Sequence, residues 1–498
     1  MTTDIQFRQI PSNLLVPLFY FEMDNSHANT AGENVRALLI GSKLAAGSAP
    51  ANIPTIIASG PDSKGLFGTG SILAQMAFTY RRNDPLGEFW GLPLADAGGA
   101  VAATGSVSFT GPATAVGVLS LYIGGLLTSI PVASGTTATA LATAVIAAVN
   151  GNLDLPVTAA VDGVHNYQVN FTARNAGLTG NDIDIRLNYR GASAGEATPA
   201  GIVPTITAMS TGATNPTLTT ALANLQDEPF EVIACSYTDA TSIAALTAFL
   251  NDTAGRWSWL VQVFGHYVIA YRATYSGLTT FGVTQNDQHE SALGVYDTPT
   301  PVWKVAAALA AQAAISVRAD PALPIREIVL QDVLAPPRES RFSVSQRNAL
   351  LVDGISTFKV DQAGNVILEK LVSTYQVNTF GQPDNSYRDA ETLFNSAFIL
   401  RQLRTLATSK YGRVKLAKDG TRLQPGSDIV TPSIVRADLI AKYRELEDGG
   451  FCQQSDVFAK GLIVQINAQN ANRLDVLFDP VLIARLDIFA VLNQFRLS

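Results

Sequence analysis

Few side chains in this 498-residue sequence are spaced to do covalent chemistry. The four histidines (His27, His165, His266, His289) are scattered. His289-Glu290 lacks the second histidine, four positions after the first, that a helical zinc motif needs. No Gly-x-x-x-x-Gly-Lys-Ser/Thr stretch is present to cradle a phosphate. Gly65-Leu-Phe-Gly-Thr-Gly70 is glycine-rich, but without the lysine or the dinucleotide spacing it reads as a turn before a helix. No Gly-x-Ser-x-Gly nucleophile elbow occurs. Asp182 and Asp184 could chelate a cation, yet two alternating acids on a strand or loop read as solvated side chains. Cys235 and Cys452 are too few for a disulfide framework or a four-cysteine zinc site, and point to a reducing compartment. The expectation is a chain with no catalytic residue, cofactor or metal.

What remains are features suited to holding other surfaces. Between 401 and 422 lie seven basic residues against one acid, Asp419, in a chain of net charge −7. Arg401, Arg404, Lys410, Arg413 and Lys415 form most of this run. Nucleic-acid binding calls for a wider basic surface with interleaved aromatics, and only Tyr411 lies inside the run. A solvated face, or a contact with an acidic protein surface, are the two readings. Charged residues are 15% of the chain, against about 25% in typical soluble domains. Such a surface fits burial against a membrane or other subunits. The best apolar run, 302–317, contains Lys304 and Gln312, so membrane insertion is not expected. Residues 1–9 carry Asp4 and Arg8 and no apolar signal-peptide core.

Both ends of the chain are apolar and extended. Pro11 and Pro17 forbid a helix across 10–21, where Val16, Leu18, Phe19 and Phe21 stand. At the other end Leu486, Ile488, Leu492, Phe495 and Leu497 fall in a strand-like pattern. Proteins normally blunt exposed strand edges. Two adhesive ends permit strand donation between copies in a head-to-tail array; pairing with the chain's own sheet is the competing reading.

The length suggests about three domains. Residues 36–41 read as a buried strand. A helix follows over 71–81 with Ile72, Met76 and Phe78/Thr79 inward. Over 96–212 only nine of 117 residues are charged, and short β patterns surround one helix carrying Leu141, Val145 and Val149. This reads as an inserted, mostly β domain. From 215 the pattern becomes α/β: a strand at 231–237, a helix capped by Asp239, an alanine-rich helix over 299–317 and a hairpin over 357–377. The final quarter shows a helix over 389–408, with Leu393, Ala397, Leu400 and Ala407 on one side. A second helix starts at Thr431-Pro432 and carries Val435, Leu439, Tyr443 and Leu446. Strands follow at 461–467 and 473–478.

Several segments carry a resemblance. They include Pro11-Ser-Asn13, Asp320-Pro-Ala-Leu-Pro-Ile325, Asp353-Gly-Ile-Ser-Thr-Phe358, Asp419-Gly-Thr-Arg422 with Val430-Thr-Pro432, Asn472-Arg-Leu-Asp475 and the ending Gln494-Phe-Arg-Leu497. The chain resembles the tail sheath proteins of contractile bacteriophages, most closely the Mu-like group. The resemblance implies a mixed α/β (α+β) multidomain fold: an N-terminal arm at 1–30, a sheath core from 31–95 plus 213–380, an outward insertion at 96–212, an inward C-terminal domain at 381–484 and a C-terminal arm at 485–498. It implies hexameric discs stacked helically around a tail tube, with both arms exchanging strands between subunits, and contraction that drives the tube through the host envelope. The implied partners are further copies of the chain, the tail tube protein, and baseplate and tail terminator proteins, with no direct contact to nucleic acid. The basic run would then face the tube. The implied place is the virion tail, assembled in the bacterial cytoplasm. The sheath of a related bacterial contractile injection system is the alternative.

Overall fold

The computed structural model describes residues 35–422, 424 and 428–496. The expected arm residues Val16, Leu18, Phe19 and Phe21, and Leu497 at the other end, lie outside the described residues.

A nine-stranded sheet forms the centre. Its order is Ile328–Val329, Val366–Lys370, Ile355–Val360, Glu290–Val295, His266–Arg272, Val232–Cys235, Ala37–Ser42, Phe89–Leu94 and Thr55–Ile56. The six strands from Ile355–Val360 to Phe89–Leu94 run parallel, and antiparallel strands close both edges. Parallel strands need helices on both faces and so become apolar throughout. Ala37–Ser42 and Glu290–Val295 are accordingly buried at every position. Ala37 and Leu39 face the layer built from helices Ile72–Asn83 and Val302–Ala319. Leu38 and Ile40 face helices Ala240–Leu250, Tyr275–Thr284 and Val344–Val352.

Local chemistry sets these helices. The Ser71 hydroxyl accepts from the Ala74 amide, and the Asp239 carboxylate from the Ser242 amide. On the first of them Ile72, Met76 and Thr79 face inward, but Phe78 is exposed. Ile72, Met76, Tyr80 and Asn83 follow the helical repeat, and Phe78 falls off that face. Lys64 and Arg82 lie 6.0 and 5.9 Å from its ring centroid. Helix Val302–Ala319 is long and apolar enough to cross a membrane, yet 78% of it is buried inside the protein. Its alanines let the neighbouring backbone approach closely, and Lys304 pairs with Asp332 at 2.9 Å.

After Phe89–Leu94 the chain leaves this sheet and returns at Val232–Cys235. Between them stand a four-stranded antiparallel sheet (Val203–Ser210, Thr104–Thr110, Gln168–Ala173, Val157–Val161) and a three-stranded one (Leu126–Val132, Gly117–Ile123, Ile185–Leu187). Helix Ala138–Gly151 buries Leu141, Val145 and Val149 against them. Asp182 and Asp184 are not the solvated pair expected from the sequence. Asp182 accepts the Arg272 guanidinium and, at 2.7 Å, the Val302 amide at the start of the alanine-rich helix. Asp184 takes Arg186 at 2.8 Å, and Arg186 also reaches Asp297 at 3.0 Å. The short strand Ile185–Leu187 brings Asp182 against Arg272 at the end of a central strand, while Arg186 on the short strand itself covers Asp184.

The chain closes on a small cluster of its own. Helix Ala390–Tyr411 buries Leu393 and Ala397, and its Ala390 and Phe394 join the central core. Leu400 and Ala407, expected on the same side, are exposed. Beyond Ile399 the helix passes the sheet, and Leu403 and Leu406 turn toward helix Pro432–Asp448 instead. There Val435, Leu439, Tyr443 and Leu446 are all buried. Tyr443 stacks on Phe458 with centroids 3.8 Å apart.

Candidate inter-subunit site

The hairpin Ile463–Ile466/Leu474–Leu477 is a sheet of two strands. Val464 and Leu474 pack on the cluster beneath, while Ile463, Val476 and Leu477 are exposed. A two-stranded ladder is marginal alone, and each of its strands keeps an outer edge free among the described strands. Beside it opens a groove of about 460 Å³, lined by Leu403, Leu406, Tyr411, Val435, Leu474 and Phe478. Its wall is apolar and continuous with the cluster.

The C-terminal segment shows the complementary property. Residues 486–496 form no ladder among the described residues, although their pattern predicts a strand. Leu486, Ile488, Phe489, Val491, Leu492 and Phe495 are between 66% and 84% exposed. A strand pattern becomes a strand only by pairing with an edge, and among the described residues this segment pairs with none. Six large apolar side chains stand exposed within these eleven residues, a contiguous apolar stretch rather than a scatter of single residues.

The basic run divides in two. Arg401 lies against the Phe264 ring, 5.8 Å from its centroid, and pairs with Glu231 at 3.5 Å. Burial raises the Glu231 pKa, opposed by Arg401. Lys410 pairs with Asp438 at 2.9 Å, and the Tyr411 hydroxyl donates to the same carboxylate at 2.6 Å. Burial, then Asp438, push the Tyr411 phenol well up. These two cations are occupied in holding the long helix. Arg404, Arg413 and Lys415 are exposed and form no ion pair among the described residues. With Lys418 and Arg422, also exposed and without an ion pair among the described residues, they are the part of the run that can meet a partner. Sequence reasoning could not make this division, because Glu231 stands 170 positions from Arg401 in the chain.

Among the described residues no group of three or more His, Cys, Asp or Glu side chains is arranged to hold a metal ion. Both cysteines are free and buried. Burial pushes the Cys235 thiol up to about 12 and the Cys452 thiol to about 11, which keeps both protonated and unreactive.

Residues 211–374 match the family described as phage tail sheath protein central domain. The Mu-like prophage FluMu tail sheath protein of Haemophilus influenzae is 38% identical over 495 residues, covering 99% of this chain and all of that protein. The chain belongs to the phage tail sheath family. It is a structural subunit of a contractile tail sheath, and its family is not one of enzymes. Among solved structures it is similar to the sheath tail protein of Desulfitobacterium hafniense, at 12% identity, 94% of this chain, 100% of that one and a TM-score of 0.47. It is also similar to the helical sheath of the anti-feeding prophage in its contracted state, at 10% identity, 97% and 99% coverage and a TM-score of 0.47.

Proposed function

We propose that this sheath subunit polymerises by strand exchange. Its C-terminal segment, and its N-terminal residues Val16, Leu18, Phe19 and Phe21, complete the hairpin sheets of neighbouring copies. The copies form hexameric discs stacked in a helical tube around a tail tube, and contraction of that tube drives the inner one through the host envelope. The observation that carries the reading is a pairing of opposites on one subunit: an apolar, unladdered segment at 486–496 and a two-stranded hairpin with open edges beside an apolar groove. A head-to-tail contact of this kind has no built-in closure, so it propagates. Backbone ladders depend little on side-chain identity. Subunits joined by them stay linked while their side-chain interfaces repack, which contraction requires.

Arg404, Arg413 and Lys415, with Arg401 and Lys410 behind them, face the tail tube in this reading, and the residues between Phe89–Leu94 and Val232–Cys235 face outward. Baseplate and terminator proteins cap the two ends. Assembly takes place in the host cytoplasm. Electron microscopy of the purified protein tests the proposal: striated hollow tubes or stacked rings are expected. Chains lacking residues 1–20 or 486–498 are expected to fold and remain unpolymerised, and polymers from either truncation would refute the strand exchange.

A further inference from the structure

The C-terminal segment changes hosts just before it leaves the molecule. As far as Ile483 it belongs to the terminal cluster: the Gln453 amide donates to the Val481 carbonyl at 2.9 Å, and the Ile483 amide to the Phe451 carbonyl at 3.3 Å. The next residues bind elsewhere. The Arg485 guanidinium reaches Thr392 Oγ1 at 3.1 Å and Asp389 at 3.4 Å, at the start of the long helix. The Arg326 guanidinium donates to the carbonyl of Asp487 at 2.5 Å and to that of Leu486. The Lys370 ammonium sits between Asp487 at 2.5 Å and Asp389 at 2.9 Å. From Ile488 onward no hydrogen bond links these residues to the other described residues.

Arg326 and Lys370 both belong to one edge of the nine-stranded sheet. Arg326 stands two residues before the edge strand Ile328–Val329, and Lys370 ends the strand beside it. The charges alternate in space as Arg485, Asp389, Lys370, Asp487 and Arg326. Arg485 and Lys370 are mostly buried, at 11% and 19% side-chain exposure. Burial works against the Lys370 charge, but hydrogen bonds to Asp487 and Asp389 outweigh it and raise the pKa. Arg326 grips main-chain carbonyls, so it fixes the path of the backbone and not merely a side chain.

We propose that Arg326 and Lys370 clamp the root of the C-terminal arm to the edge of the central sheet, so that the arm is aimed and held by the core of the subunit rather than by the small domain it follows. The inference rests on the reading that this arm binds another copy. A tension on the arm is then passed to the central sheet, and the hairpin that receives a neighbour's strand is not the element that anchors its own. A fixed root also raises the effective concentration of the arm at the neighbour's groove.

The test uses the full chain. A spin label is placed at Phe489→Cys; the two native thiols are buried and do not compete. Against this background Arg326→Gln with Lys370→Gln is expected to increase label mobility in the unassembled subunit, read well below the melting transition of the variant. In the unlabelled chain the same pair is expected to raise the concentration needed for polymerisation by about tenfold. Should the double variant fail to fold, Asp487→Asn removes only the arm's side of the Lys370 contact and is expected to shift both readouts in the same direction. Unchanged mobility or an unchanged polymerisation threshold overturns the clamp. Truncation after Asp487 separates the two claims. A truncated chain that still polymerises refutes strand donation by this arm. Loss of polymers on truncation, together with normal assembly of the clamp variants, refutes the clamp alone.

Discussion

Replacing Asp182 by Asn should loosen the attachment between the central sheet and the segment built on its own two sheets. The native carboxylate is 13% exposed and holds the Arg272 guanidinium, itself 23% exposed. It also accepts the Val302 amide at 2.7 Å, at the positive end of an 18-residue helix. In the variant Arg272 keeps the carbonyls of Thr298 and Thr300, each at 2.7 Å, and loses its counter-charge. Removing one partner of a buried pair costs about 3–5 kcal/mol, and the residual exposure of both groups places this one at the low end. At about 1.4 kcal/mol per decade, 3 kcal/mol is roughly a hundredfold increase in local opening. Amide hydrogen exchange on the unassembled subunit reads this directly at the Val302 and Ile183 amides. Acceleration by about two orders of magnitude is expected there, with little change at central strands such as Val232–Cys235. A change of less than about threefold would show that Asp182 is not an anchor, and that the pairing argument fails.

Reversing Arg404, Arg413 and Lys415 to Glu should weaken co-sedimentation with tail tubes at low salt, with a smaller difference at high salt, and leave the melting temperature of the subunit unchanged. The buried Glu290 carboxyl is pushed up to about 8 by burial and then by the Asp287 charge, from an ordinary value of 4.5. Between those values the unfolded chain releases a proton that the folded chain keeps, so this group lowers stability progressively as pH rises from about 4.5 to 8, after which its effect levels off. Glu290→Gln should therefore melt above the parent at pH about 8.5 and level with it at about 4.5, by calorimetry. Placing Asp at both Phe489 and Leu492 should leave a folded subunit that sediments as a monomer, since a charged strand cannot enter an apolar groove without large desolvation cost.

The elements that local chemistry dictates were legible in the sequence. Ser71 and Asp239 cap where their side chains can reach an amide three residues on, and Val435, Leu439, Tyr443 and Leu446 keep one face because nothing interrupts their period. The departures come from long range. Leu400 and Ala407 continue the stripe of Leu393 and Ala397 in sequence, but the surface they would cover ends where the helix outruns the sheet. Asp182 reads as solvated until Arg272, 90 positions away, is folded against it. The basic run looked uniform because Glu231 and Asp438, which occupy Arg401 and Lys410, lie far off in the chain or on the next helix. At the C-terminus the period-two pattern is present, and among the described residues no edge answers it.

The most direct measurement is a cryo-EM reconstruction of the assembled particle in which residues 486–496 are traced from their own subunit. The account predicts that they run as a strand along the Ile463–Ile466/Leu474–Leu477 hairpin of a neighbouring copy. Finding them turned back along their own subunit's hairpin, with no ladder crossing between copies, would contradict it.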